Sequence, residues 1–260
     1  MAASIAGYLQ SYAVLIAIVR PAIVVAILIG LWLALRRTAL PAGERMAAWL
    51  AVAIPLVVWF VGVWKLAASG VFAARAGAPS LVPVAIILPV LIGLIGLMRS
   101  RRIGAALDMA PIAWLIGLQV YRVIGGNFIV LWLYGAIPGV FAVPAGVGDV
   151  LVGLFAIPVA LYVASGRAGG TTLAVVWNIF GIADLADAFA LGFLTSPGPF
   201  QSLALDHPNL LTSAYPTVMT PVFVVPLSLI LHGVSLWQLR RRSRRQVAAG
   251  SLREGFARTA

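Results

Sequence analysis

Seven apolar runs, each near or beyond about 20 residues, dominate this 260-residue chain and leave it few ways to fold. They lie near 12–36, 46–66, 81–98, 109–134, 139–164, 172–194 and 217–239. A run of that length crosses the hydrocarbon core of a bilayer as a helix, because lipid offers the backbone no partner and a helix satisfies its own amides. Composition agrees, with 62% of residues hydrophobic and 10% charged, whereas a soluble domain carries about 25% charged residues. The reading is an all-α, polytopic membrane protein. Residues 1–239 form one bundle of seven transmembrane helices, and residues 240–260 a basic tail.

Two runs are irregular. Arg20-Pro21 interrupts the first. Either the span begins at Pro21 with residues 1–19 lying along the interface, or one longer helix carries Arg20 with its guanidinium snorkelling outward. The apolar stretch from Tyr12 to Val19 favours the longer span. The third run is short and holds Pro83 and Pro89, which invite a kink.

Charge orients the bundle. Fourteen of the eighteen basic residues fall on one side: Arg36, Arg37, Arg45, Arg99, Arg101, Arg102, Arg167, and the tail residues Arg240, Arg241, Arg242, Arg244, Arg245, Arg253 and Arg258. Lys65 and Arg75 lie on the other side, and Arg20 and Arg122 lie within spans. This asymmetry places the amino terminus outside and the carboxyl terminus in the cytoplasm of a bacterial-type inner membrane. The tail reads as a stop-transfer cluster with a disordered end, or as a clamp on anionic lipid. No folded domain or aromatic platform accompanies its arginines, which argues against nucleic acid.

Several function classes drop out. Without cysteine there is no disulfide, Fe–S cluster or thiolate metal site. The histidines are His207, in the longest loop, and His232, so a two-histidine haem lacks its second ligand. A retinal Schiff base needs a lysine in the last helix, yet the only lysine is Lys65. No GxSxG, HExxH, P-loop or dinucleotide fingerprint is present. No cofactor or metal is expected.

What remains is a set of polar residues inside apolar runs: QVYRVIGGNF, VPAGVGDVLVG and VWNIFGIADLAD. Charges at that depth are costly and normally face the bundle interior, paired. At a rise of about 1.5 Å per residue, Arg122, Asp149 and Asp184 fall in one layer roughly 15–18 Å deep. Asp187 sits nearer the outer face, and Gln119, Asn178 and His232 roughly one turn further in. Gln119, Arg122 and Gly126 share a helical face. Small residues flank both aspartates, Gly146, Gly153 and Ala156 on one helix and Gly181 and Ala188 on the next, so the carboxylates should meet neighbouring helices.

One arginine among two or three carboxylates leaves an acid unmatched and open to proton exchange. The expected function is proton-linked transport or binding of a small solute, an anionic one being a candidate. Arg122, Asp149, Asp184, Asp187, Gln119, Asn178 and His232 would form the ligand-binding or proton-relay set. Three alternatives stand beside it: an Arg–Asp cluster that only locks helices, an intramembrane enzyme using Asp149 and Asp184 on lipid, and a sensor signalling through the tail. Pro221 and Pro226 should free carbonyls in the last helix, and the loop TSPGPFQSLALDHPNLLTSAYPT is either a lid or an ordinary interfacial loop. The partners expected are the bilayer, anionic lipid and a small-molecule ligand.

Overall fold

A computed structural model describes residues 2–75 and 78–259, with side chains over 4–75 and 78–245. Among these residues all the regular structure is helical, with seven helical stretches long and apolar enough to cross a membrane. The helices are α1 (Ala2–Arg36), α2 (Ala42–Ala68), α3 (Val82–Arg99), α4 (Arg101–Met109), α5 (Ile112–Leu118), α6 (Asn127–Leu133), α7 (Gly139–Ala164), α8 (Gly170–Thr195) and α9 (Val225–Thr259). The protein is a multi-pass helical bundle of the class its apolar runs require.

The last span is the central post. In α9 and the turn before it 72% of the most apolar window is buried, against 6% in α3, which presents most of its surface to lipid. α9 packs on α3, α8 and α5, while α7 packs on α8, α5, α6 and the segment between α5 and α6. α1 lies against α2 and α4.

The longer form of the first span is the one adopted. α1 runs unbroken through Pro21, and lipid-embedded helices tolerate the lost amide where neighbours compensate. Arg20, however, does not snorkel. It is 3% exposed, and its Nη2 donates to Thr220 Oγ1 at 3.0 Å and to Tyr12 Oη at 3.4 Å. α3 continues through Pro89, and α7 through Pro144 and Pro158.

Two spans are irregular where sequence gives a reason. Between α5 and α6, Gln119–Gly126 forms a 3-10 helix. Val120, Val123, Ile124, Gly125 and Gly126 are weak α-helix formers, and the segment packs closely on α7. Before α9, Thr220–Val224 is a π turn. Pro221 and Pro226 cannot donate, so the regular ladder fails there.

α9 also passes straight through the 239/240 boundary, so the arginine cluster at 240–245 continues the last helix. Its side chains dock on α4. Arg241 and Arg245 pair with Asp108 Oδ2 at 2.7 and 2.6 Å, and Gln238 Nε2 donates to the Leu107 and Ala110 carbonyls. The side chains of Arg253 and Arg258 lie outside the described residues.

Candidate functional site

The 3-10 segment sets the site. With about three residues per turn, Gln119, Arg122 and Gly125 line up on one face, so Gly125 takes the place that α-helical spacing would give Gly126. Gln119, Tyr121, Arg122 and Gly125 are all buried.

Arg122 is 1% exposed. Its Nε and Nη2 both reach Asp149 Oδ1 at 2.7 Å, and Nη2 also donates to Asp184 Oδ2. Nη1 donates to the Gly181 carbonyl at 3.2 Å and meets His232 Nε2 at 3.3 Å. A guanidinium has five N–H groups, and these contacts give each one a recipient.

The second layer continues from His232. Its Nδ1 lies 3.0 Å from Asn178 Oδ1. Asn178 Nδ2 donates to the Ala174 carbonyl and to Ser235 Oγ at 2.7 and 3.1 Å, which fixes Oδ1 as an acceptor. Nδ1 therefore carries the imidazole proton, and Nε2 accepts from Arg122. Gln119 Nε2 donates to the Ser228 carbonyl at 3.2 Å, and Tyr121 Oη pairs with Ser228 Oγ at 2.8 Å.

Close backbone approach permits this arrangement. A Cβ on Gly125 would overlap the Asp149 carboxylate, and one on Gly148 the Asp184 carboxylate. A Cβ on Gly181 would meet the His232 ring at 2.5 Å. Small residues let backbones close up in this way in lipid.

The structure thus brings together Arg122, Asp149, Asp184, His232 and Asn178, while Gln119 is buried and bonds to the Ser228 carbonyl instead. Asp187 does not join them; it lies exposed on α8 nearer the loop end. Tyr121, Ser228, Ser235 and the Gly181 carbonyl also take part, and nothing in the local sequence of Tyr121 marks it, because its partner is 107 residues away.

Two cavities meet at Asp149. One, of about 250 Å³, opens at the end of the bundle where α8 finishes and α3 begins. Phe128, Phe141, Phe189, Phe193 and Phe200 line it, together with residues of the loop that follows α8. That loop folds over the mouth, tied back by Asn209 N to the Thr195 carbonyl at 2.9 Å and by Ala74 N to Ser213 Oγ at 3.1 Å. Asp206 and His207 stay exposed. The other cavity, of about 20 Å³, lies between Arg20, Tyr121, Arg122, Gly125, Asp149 and Thr220.

A family described as a domain of unknown function (DUF8737) matches residues 79–240. The chain belongs to that family. The family domain spans α3 to the start of the basic tail, so it holds Arg122, Asp149, Asp184, His232 and the mouth loop, whereas Arg20 on α1 lies outside it. Comparisons with curated proteins and with solved structures gave no match.

Proposed function

We propose that the protein binds, and carries across its membrane in exchange with protons, a small solute with an apolar body and a hydrogen-bond-donating head. The observation that carries this reading is Asp149 in the wall of the 250 Å³ mouth cavity. A ligand site in a protein is typically an apolar concavity with a few convergent polar groups, and here aromatic walls end on a buried carboxylate.

Arg122 is a poor anchor for an anion, since its N–H groups are already engaged by Asp149, Asp184, Gly181 and His232. The head is better placed on Asp149, whose second oxygen accepts no hydrogen bond among the described residues. Buried carboxylates held near one another mark proton pathways in membrane proteins. The departures from α-helical geometry at Gln119–Gly126 and Thr220–Val224 support the same reading, because transporter sites are commonly built where a membrane helix is irregular. The charge asymmetry along the sequence supports a mouth on the outer face of a cell membrane.

The test is equilibrium binding of phenethylamine to the purified full-length protein, then its uptake into proteoliposomes under an imposed pH gradient. Wild type should bind and accumulate the amine, and Asp149→Asn should lose both while keeping its helical circular dichroism. No binding by wild type, or undiminished binding by Asp149→Asn, removes the proposal.

The complete bonding of Arg122 favours a second reading, in which the cluster only locks α7, α8 and α9 around the 3-10 segment. Under that reading, polarity at the cluster is replaceable without loss of any transport.

A further inference from the structure

A wide cleft of about 1210 Å³ lies among α1, α2, α3, α4, α5, α7 and α9, running to the end of the bundle where α3 gives way to α4. Its back wall is buried surface of α9 and α4, where Leu227, Leu231 and Ala106 are 3%, 6% and 1% exposed. Its lips are lipid-facing side chains, Ile29 and Leu33 on α1 and Leu88 and Ile92 on α3. Gly30 and Gly96 also line it, and a Cβ at either would meet no atom within 4 Å. The cleft is open space that reaches from the lipid to the core of the bundle.

Neither vacuum nor water suits it. Protein interiors are packed like crystals, and walls left bare forfeit their dispersion contacts. A water needs about two to four polar partners, and these walls are aliphatic and aromatic except at one end, where Ser100 and Arg102 lie. The occupant is therefore hydrocarbon over most of its length and polar at that end.

That end is basic. Arg36, Arg37 and Arg45 flank the turn from α1 to α2, and Arg99, Arg101 and Arg102 the turn from α3 to α4, with Glu44 the one acid in those segments. Arg102 donates from Nε to Glu44 Oε2 at 2.9 Å, and its Nη1 and Nη2 make no hydrogen bond among the described residues. Arg37 holds its Cζ 4.8 Å over the ring of Trp114, a residue of the cleft wall. A guanidinium with free N–H groups matches the geometry of a phosphate.

We infer that the cleft holds one anionic phospholipid, its acyl chains against the apolar back wall and its phosphate on Arg102 and Arg37. The lipid fastens α1 and α2, which lie outside the family domain, to α3, α4 and α9 within it. This site is separate from the mouth cavity and holds whether or not a solute is carried.

Native mass spectrometry of the full-length protein, released from mild detergent after titration with dioleoyl phosphatidylglycerol or dioleoyl phosphatidylcholine, tests this. Wild type should retain one phosphatidylglycerol in preference to phosphatidylcholine. Arg37→Gln and Arg102→Gln should each weaken that binding about fivefold, the effect of one basic residue near an anionic surface. Glu44→Gln, which releases Arg102 from its partner, should keep or tighten it. Gly96→Phe fills the cleft and touches no charge, and should remove the bound lipid with helical circular dichroism unchanged. Arg240→Gln combined with Arg244→Gln, at two exposed arginines of the tail, should leave the lipid in place. The inference is overturned if wild type takes both lipids equally, or if the preference survives in Gly96→Phe or in the paired Arg37→Gln, Arg102→Gln variant. Loss of the preference with the tail arginines would move the lipid to the tail and overturn it too. A dimer that Gly96→Phe abolishes would overturn it in favour of a second copy of the chain.

Discussion

Arg122 Nη1 and His232 Nε2 lie 3.3 Å apart, with the far side of the imidazole held by Asn178 Oδ1 at 3.0 Å. The ring is therefore a neutral relay between a cation and an amide, presenting a lone pair to the one and an N–H to the other. Nitrogen-15 spectra of histidine-labelled protein should show a His232 with Nδ1 protonated and Nε2 bare. His232→Leu should leave a guanidinium N–H and the Asn178 carbonyl without partners, at a cost of about 1–3 kcal/mol for each. Chemical unfolding in detergent reads the loss.

Removing the cation alone should be worse. Arg122→Met strands Asp149 and Asp184 side by side in a dry interior, and breaking a buried pair typically costs about 3–5 kcal/mol. Adding Asp149→Asn and Asp184→Asn should restore most of that stability, since no charge then remains unanswered at the cluster. Unfolding midpoints of the single and triple variants decide the matter. If the triple variant still binds and accumulates phenethylamine, the helix-lock reading gains and Asp149 is not the anchor of the solute.

Gly148→Ala should destabilise, because the new methyl would occupy the space of the Asp184 carboxylate. Overpacking of this kind costs about 1–3 kcal/mol. Gly96→Ala on α3, where a Cβ meets nothing within 4 Å, should be neutral or slightly stabilising. The pair separates the need for close approach from the general effect of replacing glycine in a helix.

Asp108→Asn should free the first turn of the basic tail. The Asp108 side chain is 3% exposed while Arg241 and Arg245 are 31% and 61% exposed, so the bridge is half in water and is worth about 1 kcal/mol. Hydrogen exchange should quicken in α4 and in residues 238–245, with the Arg122 cluster unaffected.

Much of the site was legible one run at a time. Arg122, Asp149 and Asp184 stand out because charge in an apolar span is costly wherever it occurs, and equal depth follows from counting residues at a fixed rise. Arg20 was equally visible, yet its direction was not. A long side chain near a proline can reach the interface or the interior with the same sequence, and Thr220, 200 residues away, decides which. Asp187 shows the converse: one turn from Asp184 on α8, it lies exposed and makes no hydrogen bond to the cluster.

What the sequence alone determined was the solvent each run requires, hence the number of spans and the layer in which charge had to be answered. Hydrocarbon cannot hydrate a carboxylate or a free amide, so those constraints act on every residue locally. Which carboxylate faces which guanidinium was decided by tertiary packing, through the 3-10 turn that rotates Arg122 onto Asp149 and the glycines that let α7 and α8 close around it. Rotation about a helix axis costs a lone span little, and becomes fixed only when neighbouring backbones approach to contact distance.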